Sequence, residues 1–181
     1  GSIGRELCRQ IIHWGPSELI LLDVSEFATY ELLMELNASK PESCLQIIPL
    51  IGSVQDKTFV KKVMNKFLVD TIYHAAAYKH VPLMEQNVMQ CIANNVVGTF
   101  NIVEAAIKSN VKNFILVSTD KAVNPTNYMG ASKRIAELIC QTYSKFQNKT
   151  KFSIVRFGNV IGSSGSVIPI FEQQIKNGGP V

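Results

Sequence analysis

The fold is decided by the stretch FILVSTDK at residues 114–121, in which an apolar run passes directly into polar and charged residues. A near-continuous apolar run predicts a strand that is buried on both faces, as in a parallel sheet. Comparable runs lie at 19–23, 45–51, 71–75 and 152–157, and amphipathic helical patterns separate them at 3–14, 27–37, 57–67, about 91–108 and about 128–146. This alternation predicts a single α/β domain over residues 1–181 with a doubly wound parallel sheet.

The composition is that of an ordinary globular domain. Hydrophobic residues make up 46% and charged residues 18% of the 181 residues, enough for a sizeable core. The formal net charge of +4 is spread along the chain and does not predict nucleic-acid binding. No apolar run approaches the ~20 residues of a membrane span.

No pair of cysteines has CxxC spacing, so we expect no metal site, no disulfide framework and a reduced compartment. Each cysteine is expected to be a small apolar residue: Cys8, Cys44, Cys91 and Cys140.

A glycine loop and an acidic residue suggest a dinucleotide site of the Rossmann type. The sequence Gly1-Ser2-Ile3-Gly4 leads into a predicted helix, and Asp23 ends the next predicted strand. Glycines let the backbone approach a pyrophosphate, and an acidic residue ~20 positions later binds the ribose hydroxyls. An aspartate there favours NAD over NADP, because it would repel a 2′-phosphate. A turn with a surface aspartate is the alternative; likewise Asp56 either faces the adenine or caps the following helix.

Two further segments carry most of the chemistry: HAAAYKHVPLME at 74–85 and VSTDKAVNPTNYMGASK at 117–133. Three alanines after a strand allow a cofactor to lie against the backbone, although they also suit tight helix–sheet packing. Asp120 and Lys121 follow a parallel strand, at the edge where open α/β sheets hold their ligands. An acid beside a base at this edge suits proton transfer in both directions, and a solvated ion pair is the alternative.

Together with NVVGT at 95–99 and RFGNV at 156–160, these segments closely resemble the CapD-like polysaccharide-biosynthesis family of nucleotide-sugar 4,6-dehydratases. That family belongs to the extended short-chain dehydrogenase/reductase superfamily. The resemblance covers nearly the whole chain. It implies a Rossmann-like NAD(P)-binding domain whose central first strand and C-terminal substrate region lie outside residues 1–181.

The resemblance also implies roles for individual residues. The implied catalytic residues are Thr119, Asp120, Lys121, Met129 and Lys133. The implied cofactor contacts are Gly1, Ser2, Ile3, Gly4, Asp23, Asp56, Ala75, Ala76, Ala77, Asn95 and Lys133. The implied substrate contacts are Lys79, His80, Glu85 and Asn159, joined by the loop at 162–166, for which a plain helix entry is the alternative.

The implied reaction is dehydration of UDP-N-acetylglucosamine to a 4-keto-6-deoxy sugar, with no net oxidation. Lys121 is the expected base at C5, Asp120 the acid at the C6 hydroxyl, and Thr119 the hydrogen-bond partner near O4. Lys133 is expected to hold the nicotinamide ribose. Short-chain dehydrogenases usually carry a tyrosine four residues before this lysine, whereas this chain has Met129 there. A thioether cannot exchange protons, and the membrane-anchored branch of the family shares this methionine.

Two other functions remain open from the sequence. A nucleotide-sugar 4-epimerase would share the cofactor site but needs no acid–base pair for C5 and C6, and a non-catalytic NAD(P)-binding sensor would not need the Thr-Asp-Lys set. The resemblance further implies a cytoplasmic domain whose parent protein is anchored by upstream helices in the inner membrane of a bacterium. A UDP-sugar is the expected partner, and a homo-oligomer is compatible with the resemblance.

Overall fold

Parallel strands and helices alternate along the part of the chain that the computed structural model describes, residues 1–39, 45–160 and 167–181. The strands are β1 (Glu18–Asp23), β2 (Gln46–Ile51), β3 (Thr71–His74), β4 (Asn113–Thr119) and β5 (Lys151–Phe157). The α-helices are α1 (Ser2–Ile12), α2 (Glu26–Ser39), α3 (Lys57–Phe67), α4 (Val81–Gln86), α5 (Val88–Cys91), α6 (Gly98–Lys108), α7 (Tyr128–Phe146) and α8 (Val167–Lys176). A π-helix (Ile92–Val97) joins α5 to α6, and a 3₁₀ turn (Asp120–Ala122) follows β4.

The described strands form two parallel sheets. In one, β1 pairs with β2. In the other, the order is β3-β4-β5, and Ser118 of β4 lies opposite Arg156 of β5. All pairings among the described strands are parallel, as predicted.

The larger apolar core lies around β3, β4 and the helices packed on them. Phe114 and Leu116 of β4 have no exposed surface, and Val60 of α3 and Val103 of α6 are equally buried. A smaller cluster between α1, α2 and the β1–β2 sheet consists of Ile12, Leu21, Leu36 and Leu45. These side chains belong to the runs in which the sequence shows strand or helix periodicity, so the predicted elements are confirmed.

Several local features lay beyond the sequence prediction. The short helix α4 and the π-helical turn were not predicted, because each depends on packing rather than on a long periodic pattern. The helix α8 begins where a helix entry was the alternative interpretation of the loop at 162–166. Cys91 and Cys140 are buried and free and Cys8 is half-buried, whereas Cys44 lies outside the described residues. Within the described ranges, no helix is long and apolar enough to span a membrane.

Candidate active site

The carboxyl ends of β3, β4 and β5 gather the predicted polar residues at one edge of the sheet. The alanines at 75–77 follow β3, the residues 119–121 end β4 and begin the 3₁₀ turn, and Asn159 follows β5. Parallel strands end at the same edge, and the side chains do meet, since Lys121 Nζ donates to Asn159 Oδ1 at 3.3 Å. The structure therefore brings together the predicted catalytic turn and one predicted substrate residue.

The 3₁₀ turn holds Thr119, Asp120 and Lys121 in mutual contact. Thr119 Oγ1 donates to Asp120 Oδ1 at 2.8 Å, and Lys121 Nζ donates to the same oxygen at 3.3 Å. The hydrogen bond from Thr119, followed by the hydrogen bond and charge of Lys121, holds the pKa of Asp120 below its ordinary value. Asp120 is thus an ionised acceptor at neutral pH, which suits the uptake of a proton before it can act as an acid.

Lys133 is buried within α7 behind this turn. Only 4% of the residue is exposed, and its Nζ donates to the carbonyl oxygen of Val117 at 2.7 Å. Burial lowers the pKa of Lys133 to about 8, and the negative charge of Glu137 acts in the opposite direction. The predicted cofactor-holding lysine thus lies directly behind the end of β4.

His74 ends β3 as a buried neutral group. Its Nε2 lies 2.9 Å from Thr99 Oγ1, and that hydroxyl donates to the carbonyl oxygen of Asn95. Because the hydroxyl proton is committed to Asn95, we infer that Nε2 carries the histidine proton. Burial, and then the charge of Lys133, lower the pKa of His74 to about 3. The neutral histidine therefore has a structural role, in which it forms a hydrogen bond with Thr99.

Met129 lies inside the protein and Tyr128 lies outside. Met129 is 3% exposed and clusters with Met84 and Cys91, whereas Tyr128 is 52% exposed. Asn127 caps α7 by accepting a hydrogen bond from the Gly130 amide, which fixes this register. The methionine thus takes the inward position, and its predicted place in the catalytic set stays a prediction.

The glycine loop and Asp23 lie close together. The backbone nitrogen of Gly1 is 4.0 Å from Asp23 Oδ2, while Asp23 Oδ1 accepts a hydrogen bond from the Ser25 amide. α1 begins at Ser2, as the glycine pattern predicts. Asp56 caps α3 by accepting from the Phe59 amide at 2.9 Å, which was the alternative interpretation of that residue.

Asn95 is fully buried in the π-helix, and its side-chain amide forms hydrogen bonds with other residues of the protein. Its Oδ1 accepts from the Tyr78 amide at 2.8 Å, and its Nδ2 donates to the Tyr78 carbonyl at 3.0 Å and to Ser132 Oγ at 2.9 Å. It therefore clamps the loop after β3 to α7. A direct cofactor contact for Asn95 stays a prediction; its observed contacts position the loop.

The remaining predicted substrate residues surround the start of α4. Lys79 and His80 are exposed, and His80 precedes α4 as its N-cap residue. Glu85 Oε1 accepts a hydrogen bond from the Tyr128 amide at 2.9 Å and so ties α4 to the start of α7. The loop at 162–166 lies outside the described residues.

The sequence interpretation missed a buried ionic group behind the site. Glu137 has no exposed side-chain surface and accepts hydrogen bonds from Ser118 Oγ at 2.6 Å, from two nitrogens of Arg156 and from Arg134. The only sequence signal was an acidic residue on the inward face of α7, one turn after Lys133. Its partners lie on other elements, so spacing could not identify them.

The fold and the site define the class of the protein. A parallel α/β domain with a glycine-led first helix, a Thr-Asp-Lys turn at a strand end and a buried lysine behind it is an extended short-chain dehydrogenase/reductase domain. A family model described as polysaccharide biosynthesis protein matches residues 1–181, and the chain belongs to this family.

Individual relatives agree with this family. The chain is 50% identical to the capsular polysaccharide biosynthesis protein CapD of Staphylococcus aureus, matching all of this chain and 30% of the relative. It is 35% identical to a UDP-N-acetylglucosamine 4,6-dehydratase (inverting) of Campylobacter jejuni, over 98% of this chain and 52% of the relative. The X-ray structure of Pen from Bacillus thuringiensis superposes with a TM-score of 0.86 at 35% identity, over 97% of this chain and 52% of that chain. The chain thus spans from 30% to 52% of the length of these proteins.

The relatives also include an enzyme with a different activity. A UDP-glucose 4-epimerase of Rickettsia canadensis is 44% identical over 130 residues, which cover 71% of this chain and 38% of the epimerase. Membership of the family therefore leaves dehydration and epimerisation to be separated by the chemistry of the site.

Proposed function

We propose that the chain is the nucleotide-binding part of a nucleotide-sugar 4,6-dehydratase, a hydro-lyase that converts UDP-N-acetylglucosamine to a UDP-4-keto-6-deoxy sugar in surface polysaccharide biosynthesis. The observation that carries this proposal is the turn in which Thr119, Asp120 and Lys121 are joined by hydrogen bonds at the carboxyl end of β4. The name of the Campylobacter jejuni relative supports this substrate and reaction.

The residues present fit a nicotinamide dinucleotide. The space next to Gly4 is open, so that a Cβ there would meet nothing within 4 Å, and the start of α1 lies near the Asp23 carboxylate. Gly1–Gly4 would receive the pyrophosphate at the start of α1, Asp23 the adenosine ribose, and Lys133 the nicotinamide ribose. When bound, the cofactor accepts hydride from sugar C4 and returns it to C6. Asp23 favours NAD.

Thr119 and Asp120 provide a route for the proton of the sugar O4 hydroxyl. Thr119 Oγ1 donates to Asp120 Oδ1, so the threonine can pass the O4 proton to the carboxylate as C4 becomes a ketone. The low pKa of Asp120 keeps this acceptor ionised at the start of the reaction. The route replaces the tyrosine that is absent at Met129.

Asp120 and Lys121 then complete the elimination. Lys121, once its ammonium has released a proton to solvent, removes the C5 proton that the 4-ketone has made acidic, and Asp120 gives its newly acquired proton to the C6 hydroxyl, which leaves as water. Lys121 then returns a proton to C5. Protonation of Asp120 also removes the negative charge that faces the Lys121 ammonium at 3.3 Å. Asn159, which accepts from Lys121 Nζ at the same distance, keeps the lysine at the edge of the sheet.

The test is the product that the full-length enzyme forms from UDP-N-acetylglucosamine and NAD⁺ in deuterated water, followed by NMR. We expect a 6-deoxy-4-keto sugar with deuterium at C5, because the base exchanges its proton with solvent. Recovery of a C4 epimer that keeps its C6 hydroxyl and its hydrogen at C5 would contradict the proposal.

A 4-epimerase is the second candidate, because the chain is 44% identical over 130 residues to an enzyme of that name. The C4 epimer described above is the product that it predicts. A cofactor-binding sensor would bind the dinucleotide and form neither product.

The cofactor is tested separately by titrating NAD⁺ and NADP⁺ into the full-length protein. We expect tighter binding of NAD⁺, since the Asp23 carboxylate beside the glycine loop would repel a 2′-phosphate. Much tighter binding of NADP⁺ would contradict the role of Asp23, and binding of neither would contradict the dinucleotide site.

The location of the parent protein is also part of the proposal. We place this domain on the cytoplasmic side of a bacterial inner membrane, because UDP-sugars and NAD(P) occur in the cytoplasm and the chain resembles the membrane-anchored branch of the family. Protease accessibility of the domain in inverted versus right-side-out membrane vesicles tests this orientation.

A further inference from the structure

We infer that Glu137 is a positioning residue for this site: its buried carboxylate joins β4, β5 and α7, so that the groups at their ends meet at one edge. The inference rests on the proposed function for its kinetic part only. Glu137 has no exposed side-chain surface, so it acts through other residues and not by touching a ligand.

The carboxylate is fully occupied by groups from three elements. Ser118 Oγ of β4 donates to Oε1 at 2.6 Å; Arg156 of β5 donates from Nε to Oε1 at 2.7 Å and from its terminal nitrogen to Oε2 at 2.6 Å; and Arg134 of α7 donates to Oε2 at 2.9 Å. The two-pronged contact with Arg156 fixes the orientation of both planar groups. A single side chain thus links two strands and a helix near the ends of the strands.

Each partner stands next to a residue of the proposed mechanism. Ser118 immediately precedes Thr119 and lies opposite Arg156 in the β4–β5 pairing. Arg156 is three residues before Asn159, which holds Lys121. Glu137 itself follows Lys133 by one helical turn on α7. Movement of this carboxylate would therefore displace the threonine, the asparagine and the buried lysine relative to one another.

Stability alone does not account for this buried ionic group. Taking the Glu137 carboxylate out of water costs free energy, although the side chains of Arg134 and Arg156 stay partly exposed, and well-packed apolar side chains of similar volume are often as stabilising or more so. What the charged group adds is directional: fixed hydrogen-bond geometry that apolar packing cannot specify. The geometry therefore points to positioning of the site.

The charge of Glu137 also reaches the buried lysine. Burial lowers the pKa of Lys133, and the negative charge of Glu137 opposes that effect. Cys140 and His74 also lie near Lys133, but both are neutral at working pH, because burial raises the pKa of the Cys140 thiol to about 12 and lowers that of His74 to about 3. Loss of the Glu137 charge should thus lower the pKa of Lys133 further, a change that a purely steric role would not produce.

The experiment compares Glu137→Gln with Glu104→Gln in the full-length protein. Glu104 of α6 is a matched control, because its carboxylate also contacts two cations, Lys57 and Lys108, but lies outside the β4–β5–α7 junction. For Glu137→Gln we expect kcat to fall on the order of 10²-fold with a much smaller change in KM, as for a small misplacement of reacting groups. We also expect the Lys133 titration, followed by NMR of ¹³Cε-lysine, to move to lower pH. Arg156→Lys, which retains a positive charge, should keep more activity than Arg156→Met.

A folded Glu137→Gln protein whose kcat and Lys133 titration match those of Glu104→Gln would overturn the inference. If Glu137→Gln does not fold, Ser118→Ala decides, because it removes one hydrogen bond and keeps the ion pairs. We expect about a tenfold loss of kcat in that variant, and an unchanged kcat would equally overturn the inference. If the wild-type protein makes no dehydrated sugar, the proposed function fails, whereas the Lys133 titration still tests the role of Glu137.

Discussion

The two sheets of this chain hold their charged groups in opposite ways. In the first sheet region (residues 1–39 and 45–51), Arg5 contacts Glu31 and Arg9 contacts Glu35 across the exposed faces of α1 and α2. In the second sheet region (residues 57–160), the carboxylate of Glu137 is entirely buried and is satisfied by partners from three elements. The second region also has surface ion pairs, such as Lys57 with Glu104, but among the described ion pairs a fully buried carboxylate occurs only there, near the strand ends.

The difference follows from what each region is proposed to do. Binding a dinucleotide at a helix start depends on backbone groups and one carboxylate, which need little support from buried side chains. Moving protons between named atoms requires side chains held to within fractions of an ångström. The larger core and the buried ionic group therefore lie in the second sheet region.

The largest effect is expected from Lys121→Ala in the second sheet region. Loss of a general base typically costs about 10²–10⁴-fold in rate, while NAD⁺ and UDP-sugar binding should persist. Lys112→Ala is the matched control, since Lys112 pairs with Asp70 on the exposed surface. Turnover of UDP-N-acetylglucosamine by the full-length enzyme measures both. Equal activity of the two variants would remove Lys121 from the mechanism.

Truncating one buried side chain in each core compares their stabilities. Phe114→Ala should lower the free energy of unfolding by about 3–5 kcal/mol, because Phe114 is fully buried and contacts Phe152 and His74. Leu36→Ala, in the smaller cluster, should cost about 2–5 kcal/mol, and we expect the lower half of that range. Urea unfolding measures both values, and a larger loss for Leu36→Ala would reverse the assignment of the dominant core.

Acid unfolding should expose the buried carboxylate. Burial alone would raise the pKa of Glu137, but hydrogen bonds from Arg156, Ser118 and Arg134 outweigh it and lower the pKa to about 2, against 4.5 for an ordinary glutamate. Its stabilising contribution, on the order of 3 kcal/mol at most, is therefore complete above pH 4.5 and is lost as the pH falls towards 2. Unfolding free energies measured from pH 6 down to pH 2 should decline less steeply in Glu137→Gln. An identical decline in both proteins would contradict this assignment.

The smallest effect is expected on the surface of the first sheet region. Glu31→Gln removes one exposed ion pair and should lower the free energy of unfolding by less than about 1 kcal/mol. High salt should abolish the difference from wild type, because exposed charges are screened. A loss above 2 kcal/mol that persists in high salt would mean that this pair is as important as the buried one, and the contrast between the regions would not hold.

Much of the fold and of the strand-edge site could be predicted from the sequence. Apolar runs and helical periodicity located the strands and the long helices. Thr119, Asp120 and Lys121 could be assigned to a site because they lie at the end of β4, and ligands bind at strand ends in open α/β sheets. The distinction between Tyr128 and Met129 also followed, because adjacent residues on a helix point about 100° apart.

The contacts by which polar side chains join separate elements could not be predicted. The cofactor contact of Asn95 and the substrate contact of Glu85 stay predictions; the structure shows Asn95 bonded to Tyr78 and Ser132, and Glu85 bonded to the start of α7. Both interactions join residues far apart in the chain. Local spacing contains no information about such partners, since they become neighbours only when the elements pack.

The sequence by itself determined the α/β alternation, the family and the order of chemical groups at the strand ends, because these depend on periodicity and on residues adjacent in the chain. Only the tertiary structure decided that Lys133 has a lowered pKa and that Glu137 joins β4, β5 and α7. The physical reason is that pKa values and hydrogen-bond geometry depend on burial and on charges contributed by other elements, and both are set by packing in three dimensions.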